Sequence, residues 1–202
     1  MLAHKMKTFF LFLFCASSVS FSVAQNLDIN LLKSINQQRN KLLDNSFKLI
    51  SSSVTPISVA TPLALFACSR YKKDSTLQSK AIIIGESILI SAIVSSSLKY
   101  IVNRPRPFTK YPFIEKLSNA GSPSFPSGHT SDAFATATSL SLAFPKWYVI
   151  TPAYLWAGAV GYSRMHLGVH YPSDVLAGAI VGAGAAYLSQ VLNKKFLKRN
   201  KF

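Results

Sequence analysis

Three short polar clusters in the middle of an otherwise apolar chain hold the residue types that bond-making chemistry needs. The clusters are residues 99–107 (KYIVNRPRP), residues 126–129 (PSGH), and a third containing Ser163, Arg164, His170 and Asp174. Besides Arg104, the clusters supply three cations (Lys99, Arg106 and Arg164), two histidines (His129 and His170) and one carboxylate (Asp174). Such a set suits phosphoryl transfer, in which fixed cations hold the non-bridging oxygens, one imidazole attacks phosphorus and another protonates the leaving oxygen.

Each cluster taken alone has an ordinary structural explanation. Lys99 and Arg106 at the end of an apolar run are typical of charges at a membrane surface. The PSGH sequence is typical of a turn before a helix N-terminus. His170 and Asp174, four residues apart, suit a pair on a helix surface. The chemical interpretation therefore depends on all three clusters occurring together in this order.

The order and spacing resemble the signature of the type 2 phosphatidic acid phosphatase superfamily, which reads K-x6-RP, PSGH and SR-x5-H-x3-D. Every position of that signature matches, across about the middle third of the chain. The superfamily contains membrane lipid phosphatases, bacterial acid phosphatases and vanadium haloperoxidase-like enzymes. The short chain argues weakly against the halide-oxidising branch.

The resemblance implies two catalytic histidines with different tasks. His170 is the expected nucleophile that becomes phosphohistidine, and Asp174 is expected to hold its other ring nitrogen. The four-residue spacing predicts both on one helix face, with Pro172 tolerated in a first turn. His129 is the expected general acid and then base, a role that contributes about 10²–10⁴-fold to rate.

The resemblance also implies a phosphate pocket that needs no metal or other cofactor. Lys99, Arg106 and Arg164 are expected to bind the phosphate oxygens, since guanidinium groups offer paired donors. Ser127 and the backbone N–H of Gly128 are expected at a helix start, where amides favour an anion. The sequence shows no carboxylate cluster suited to Mg²⁺.

Three further polar residues have ambiguous roles. Arg104 contacts either a second phosphate of a diphosphate substrate or lipid headgroups, and we favour headgroups. His166 lies outside the signature, which favours a hydrogen-bonding structural role. Glu86 falls within an apolar run, where we expect it to accept hydrogen bonds from neighbouring helices.

The elements that position these residues follow from composition and charge. The chain has 202 residues, 49% of them hydrophobic, and a net charge of +15, which fits one domain. Its basic residues gather at the ends of apolar runs, which favours an anionic membrane over nucleic acid as partner.

Residues 1–24 are predicted to be a signal peptide, with an uncleaved anchor helix as the alternative. Residues 25–202 then form a single phosphatase domain.

The apolar runs predict an all-α fold, a helical bundle with about five transmembrane helices after signal removal. The predicted spans are 49–69, 81–102, 130–144, 147–163 and 175–192. An amphipathic helix over 26–48 and a loop over 103–128 complete the chain. The glycines and alanines of 175–192 recur at four-residue spacing, which favours close helix contacts in lipid.

Charge asymmetry predicts the orientation. With the N-terminus outside, the basic loop at 70–80 and the basic C-terminal tail fall in the cytoplasm, as the positive-inside rule expects. All signature residues then share the opposite face. The prediction is a multi-pass protein of the bacterial inner membrane with its active site facing the periplasm.

The expected function is hydrolysis of a phospholipid or isoprenoid lipid phosphate, or a diphosphate, without a metal ion. Two alternatives stay open: a soluble periplasmic acid phosphatase acting on small phosphomonoesters, and a non-catalytic membrane protein that binds anionic lipid. The sequence leaves the oligomeric state open.

Overall fold

The computed structural model describes residues 26–199, with side chains through residue 194. The predicted signal peptide lies outside this range. Within it, every regular element is a helix and no strand occurs. The prediction of an all-α fold is therefore confirmed.

Eight helices and a short 3₁₀ turn make up the described part of the chain. They are α1 (26–37), the 3₁₀ turn Lys41–Leu43, α2 (Asp44–Ser52), α3 (Val54–Lys72), α4 (Ser75–Val102), α5 (Pro107–Lys110), α6 (Gly128–Ala143), α7 (Trp147–His166) and α8 (Pro172–Arg199). Helix α6 lies at the centre, because it packs against α4, α7 and α8.

Helix α4 has well-defined ends that set the position of the first polar cluster. The Asp74 side chain accepts a hydrogen bond from the Leu77 amide (3.0 Å) and so caps the N-terminus. Asn103 ends the helix in the left-handed conformation (φ 47°), which Asn tolerates better than most residues. This turn separates Lys99 on the helix from Arg104 and Arg106 in the loop that follows.

Helices α6 and α8 approach each other very closely because small residues line their contact. Ala135 of α6 is fully buried, and its amide nitrogen would lie 2.8 Å from a Cβ atom on Gly182 of α8. A Cβ atom on Gly182 of α8 would lie 2.0 Å from the carbonyl oxygen of Ser131. The predicted close helix contact is present, and only glycine fits at this crossing.

Polar groups inside the bundle find partners on neighbouring helices. The Ser91 hydroxyl of α4 donates to Asp132 Oδ1 of α6 (3.0 Å). Glu86 accepts hydrogen bonds from Ser189 (3.2 Å) and from Asn193 of α8. The contacts of Glu86 agree with the structural role expected for it, since an unpaired polar group is costly in lipid.

In the part of the chain that the structure describes, three stretches are long and apolar enough to cross a membrane: Lys41–Lys72, Ser75–Lys110 and Pro172–Lys194. Four of the five predicted spans coincide with a helix, namely α4, α6, α7 and α8, whereas the span predicted at 49–69 covers the end of α2 and most of α3. Helix α6, with 16 residues, is shorter than the roughly 20 residues that a full span needs. The number of spans therefore stays a prediction.

The prediction of one amphipathic helix over 26–48 is wrong. Helix α1 ends at residue 37, and the 3₁₀ turn begins where the Asn40 side chain accepts a hydrogen bond from the Leu42 amide (3.0 Å). Asn competes with the helix by bonding its own backbone, which explains the break. The buried Ile29 and Leu32 of α1 pack against Ile114 and Tyr171, so α1 covers the site end of the bundle.

Candidate active site

His170 lies in the turn between α7 and α8, two residues before α8 begins. The prediction that His170 and Asp174 share a helix face is therefore wrong for His170. The turn is made by Gly168 (φ 69°), where a Cβ atom would lie 2.2 Å from the carbonyl oxygen of Glu115. It still brings His170 Nδ1 to 3.5 Å from Asp174 Oδ2.

Asp174 is fully buried and held on both carboxylate oxygens. Oδ2 accepts hydrogen bonds from the Ser124 hydroxyl and from the Tyr171 amide (3.0 Å). Oδ1 accepts one from Arg104 Nη1 (2.6 Å). His170 Nδ1 is buried without a hydrogen-bond partner in the described structure, and Asp174 is the carboxylate beside it.

The other ring nitrogen of His170 faces a guanidinium group. Nε2 lies 3.3 Å from Arg106 Nη1. Burial, helped by the charges of Arg164 and Arg106, lowers the pKa of His170 to about 3, although Asp174 opposes the shift. The imidazole is therefore neutral at neutral pH, as a nitrogen nucleophile must be.

Arg106 is held rigidly by backbone acceptors. Its Nε donates to the carbonyl oxygen of Ser122 (2.7 Å) and its Nη1 to that of Val169 (2.9 Å). Arg106 also occupies the N-cap position of α5, with Pro107 as first helical residue. These contacts tie the loop after α4 to the turn that carries His170.

Lys99 fastens the second polar cluster to α4. Its Nζ donates to the carbonyl oxygens of Pro123 (2.9 Å) and Pro126 (2.8 Å). Its Cε lies 3.7 Å from the position of a Cβ atom on Gly128. The ammonium group therefore lies beside the start of α6.

Helix α6 begins where the sequence places it, with Ser127 as N-cap. The Ser127 amide donates to the backbone carbonyl of Asp174 (3.0 Å), and the Ser127 hydroxyl accepts from Thr130 (2.8 Å). Gly128 and His129 occupy the first turn, whose free amides attract anions. The second and third clusters are thus joined through the Ser127–Asp174 bond.

Arg164 and His129 complete the cluster. Arg164 lies in the last turn of α7, is 2% exposed, and donates through Nη1 to the Ser51 hydroxyl. Its Nε is buried without a partner among the described residues. Burial, helped by the positive charges of Arg164, Arg106 and Lys99, lowers the pKa of His129 to about 4. The structure thus brings together all eight residues that the sequence singled out.

The three cations share an unusual property. Within residues 26–194, none of Lys99, Arg106 and Arg164 forms an ion pair with a carboxylate. A buried cation without a counter-ion is costly, and a bound anion removes that cost. The arrangement is suited to hold a tetrahedral oxyanion in front of His170.

Arg104 lies elsewhere than expected. Instead of facing headgroups, it pairs with Asp174 (2.6 Å) and with Asp28 of α1 (2.7 Å). Sequence reasoning missed Asp28 because 76 residues separate it from Arg104. His166 Nε2 lies 2.7 Å from Asp44 Oδ1, in agreement with the structural role expected for it.

Other contacts of the site also carried no local sequence signal. Ser51 lies 113 residues from Arg164, and Ser124 lies 50 residues from Asp174. Serine is common throughout the chain, so its identity alone singles out neither position. The part of the chain that the structure describes contains no group of three or more His, Cys, Asp or Glu placed to hold a metal ion.

Comparison with known proteins decides the family. A model of the PAP2 superfamily matches residues 80–197. The chain belongs to the PAP2 superfamily. This PAP2 protein is 33% identical over 97 residues to a lipid A 4'-phosphatase of Bacteroides thetaiotaomicron, covering 48% of this chain and 43% of that protein. It is 35% identical over 114 residues to an undecaprenyl-diphosphatase of Sulfolobus acidocaldarius, covering 52% and 53%.

The PAP2 fold is also shared with solved structures. The crystal structure of a transmembrane PAP2-type phosphatidylglycerolphosphate phosphatase from Bacillus subtilis superimposes with a TM-score of 0.68 at 27% identity, covering 93% of this chain and 94% of that one. With three helices able to cross a bilayer, this PAP2 protein is a membrane protein. The chain spans about half the length of the two curated relatives.

Proposed function

We propose that this PAP2 protein hydrolyses a lipid phosphate or diphosphate through a phosphohistidine intermediate, without a metal ion. One observation carries the proposal: a neutral, buried His170 faces cations that have no carboxylate partner among residues 26–194. Such a pocket attracts a phosphate group and presents a nucleophile to it. Binding of an anionic lipid alone needs neither the nucleophile nor the carboxylate behind it.

In the first step, His170 Nε2 attacks phosphorus while Asp174 holds the proton on Nδ1. The N–P bond forms and the bond from phosphorus to the leaving oxygen breaks. The negative charge of the bound phosphate raises the pKa of His129, which is then protonated and gives its proton to that oxygen. Lys99, Arg106 and Arg164 compensate the charge on the non-bridging oxygens, which such fixed donors do without reorganising.

In the second step, water attacks the phosphohistidine. His129, now neutral, takes a proton from that water, the N–P bond breaks, and orthophosphate leaves. Both steps use the same pocket, and His129 returns to its starting state. Arg106 Nη1 lies 3.3 Å from His170 Nε2 and therefore remains beside the phosphoryl group throughout.

A wide, open cleft with a mixed polar and apolar lining supports a substrate with a bulky headgroup. The cleft has a volume of about 910 Å³ and lies between α2 and residues 116–119. Ser52 lines it, directly after Ser51, the contact of Arg164. Lys48 and Lys116 give it positive charge. We therefore favour lipid A, the substrate in the name of the Bacteroides relative, and keep undecaprenyl diphosphate as second candidate because of the name of the Sulfolobus relative.

The site is proposed to face the periplasm from the bacterial inner membrane. Lys99 lies in the last turn of α4, while the basic stretch of residues 70–80 surrounds the start of the same helix. At 28 residues, α4 is about 42 Å long, enough to cross a bilayer. If basic residues stay in the cytoplasm, the pocket opens on the other side.

The two histidines provide the test. Purified wild type, His170→Ala and His129→Ala are mixed with labelled nitrophenyl phosphate, quenched rapidly and separated on an alkaline gel, which preserves phosphohistidine. His170→Ala should form no adduct. His129→Ala should form one, because nitrophenolate leaves without protonation, and the adduct should accumulate because water then lacks its base.

Two results would contradict these roles. One is a base-stable adduct in His170→Ala, and the other is no adduct in His129→Ala when the wild type shows one. A panel of lipid phosphates, with phosphate release as readout, then selects the substrate. Full extraction of the protein without detergent, together with turnover of small phosphomonoesters only, would favour the acid phosphatase alternative.

A further inference from the structure

Arg104 donates a hydrogen bond to the carboxylate behind the nucleophile, although it is not itself part of the signature. Its Nη1 donates to Asp174 Oδ1 (2.6 Å) and to the Ser173 hydroxyl (2.7 Å). Its Nη2 donates to Asp28 Oδ2 (2.7 Å). The guanidinium lies 3.8 Å from the centre of the Tyr171 ring, so it is also stacked in place.

Asp28 connects this arrangement to α1. Its Oδ1 accepts a hydrogen bond from the Ser173 amide (2.9 Å), and its Oδ2 accepts from the Ser173 hydroxyl. A carboxylate here also compensates the positive end of the α8 dipole. Asp28 therefore fixes the first turn of α8 and the guanidinium of Arg104 at the same time.

The two oxygens of Asp174 have separate tasks. Oδ2 faces His170 Nδ1 at 3.5 Å, whereas Oδ1 is bonded to Arg104. Without Arg104, Oδ1 would be a buried acceptor without its charged partner, and only the bonds of Oδ2 to Ser124 and to the Tyr171 amide would hold the carboxylate against rotation. We propose that Arg104, held by Asp28, is a positioning residue: it aims Asp174 at His170 and does not bind substrate.

The competing role is binding of a second phosphate. A cavity of about 120 Å³ beside Arg104, lined also by Lys110 and Tyr111, gives such a group somewhere to sit. Both terminal nitrogens of Arg104 are, however, already bonded to carboxylates. A second phosphate would compete with the Asp28 carboxylate for the positive charge of Arg104. The two roles therefore predict opposite effects of removing the Asp28 charge.

The experiment compares Arg104→Gln, Arg104→Lys and Asp28→Asn with Lys110→Gln, a matched control that removes a neighbouring cation from the same cavity. Full-length protein in detergent is assayed for turnover of nitrophenyl phosphate and of an isoprenyl diphosphate. Binding of orthovanadate is measured separately by calorimetry, because its trigonal-bipyramidal adduct needs a correctly placed His170 nitrogen. A thermal unfolding midpoint is recorded for every variant.

If Arg104 is a positioning residue, kcat should fall about 10–100-fold in Arg104→Gln with both substrates, as is typical when a residue that orients a reacting group is lost. KM should stay within about threefold of the wild-type value. Orthovanadate affinity should fall in parallel. Arg104→Lys keeps one charged contact and should recover part of the loss. Asp28→Asn should also lower kcat, and Lys110→Gln should match the wild type.

Other outcomes overturn the proposal. A loss confined to the diphosphate KM in Arg104→Gln, with a lower diphosphate KM in Asp28→Asn, would make Arg104 a substrate ligand. Unchanged kcat and vanadate affinity in Arg104→Gln would remove any role. A loss of kcat that only follows the thermal unfolding midpoint, and that Arg104→Lys does not recover, would also overturn the positioning role.

The inference rests on the proposed function, and vanadate binding keeps the two apart. Wild-type protein that releases no phosphate from any substrate, yet binds vanadate with the predicted dependence on Arg104, would overturn the proposed function and support the positioning role. Normal phosphate release, together with a vanadate affinity that does not depend on Arg104, would support the proposed function and overturn the positioning role. Wild-type protein that neither releases phosphate from any substrate nor binds vanadate would overturn both the proposed function and the positioning role.

Discussion

The contact between α6 and α8 allows a stability prediction that is sized from the structure. Three glycines of α8 differ only in what an added Cβ atom would meet. At Gly182 it would lie 2.0 Å from the Ser131 carbonyl oxygen, and at Gly178 it would lie 2.6 Å from that of Ser127. At Gly184 nothing lies within 4 Å. The same Gly→Ala change therefore tests three degrees of crowding on one helix.

The distances set the expected magnitudes. To bring the new Cβ atom out to 3.0 Å, the helices must separate by about 1 Å at Gly182 and about 0.4 Å at Gly178. Overpacking costs about 1–3 kcal/mol, and alanine regains about 1 kcal/mol over glycine in a helix. We expect Gly182→Ala to lose roughly 2 kcal/mol, Gly178→Ala to lose about 0–1 kcal/mol, and Gly184→Ala to gain up to about 1 kcal/mol.

Activity should follow a different order from stability. Gly178 lies one turn after Asp174 and meets Ser127, whose amide donates to the Asp174 carbonyl (3.0 Å). Small displacements at a reacting centre cost up to about 10²-fold in rate. Gly178→Ala should therefore lose more activity than its modest loss of stability suggests, and Gly184→Ala should keep full activity.

Thermal unfolding in detergent, followed by tryptophan fluorescence, measures the first quantity, and phosphate release from nitrophenyl phosphate measures the second. Gly184→Ala is the matched control, because it makes the same substitution where the Cβ atom meets nothing. Equal loss of stability in Gly184→Ala and Gly182→Ala would show that the losses do not come from the α6 contact. Full stability of Gly182→Ala would refute the packing argument.

Two further predictions concern metal dependence and topology. Activity should survive EDTA, because Lys99, Arg106 and Arg164 supply the positive charge that phosphoryl transfer requires; loss of turnover that Mg²⁺ restores would contradict the mechanism. In a variant with the exposed Cys68 replaced by serine, Ser118→Cys should react with an impermeant thiol reagent in intact spheroplasts, whereas a cysteine placed in residues 70–80 should react only after lysis. The reverse pattern would overturn the orientation and with it the periplasmic site.

Much of the fold could be predicted from the sequence because its elements are long and strongly apolar. The runs at 81–102 and 175–192 fall inside α4 and α8, and their helical state follows from length and composition alone. The region 26–48 could not be predicted as well, because its break depends on local side-chain competition at Asn40. Where a helix is only weakly favoured, a single side-chain hydrogen bond decides whether it continues, and amino-acid composition does not predict such a bond.

Three short motifs were enough to predict the family and the residue types of the pocket, and the apolar runs were enough to predict the all-α class. The contacts that each of these side chains makes became known from the folded bundle. It placed His170 in a turn before α8, and it gave Arg104 two carboxylates, one of them from α1. Those contacts join residues far apart in the chain, such as Asp28 and Arg104 or Ser51 and Arg164. Spacing along the chain indicates which residues are neighbours on one helix. The contacts of buried charges depend instead on which residues lie close together in the folded bundle.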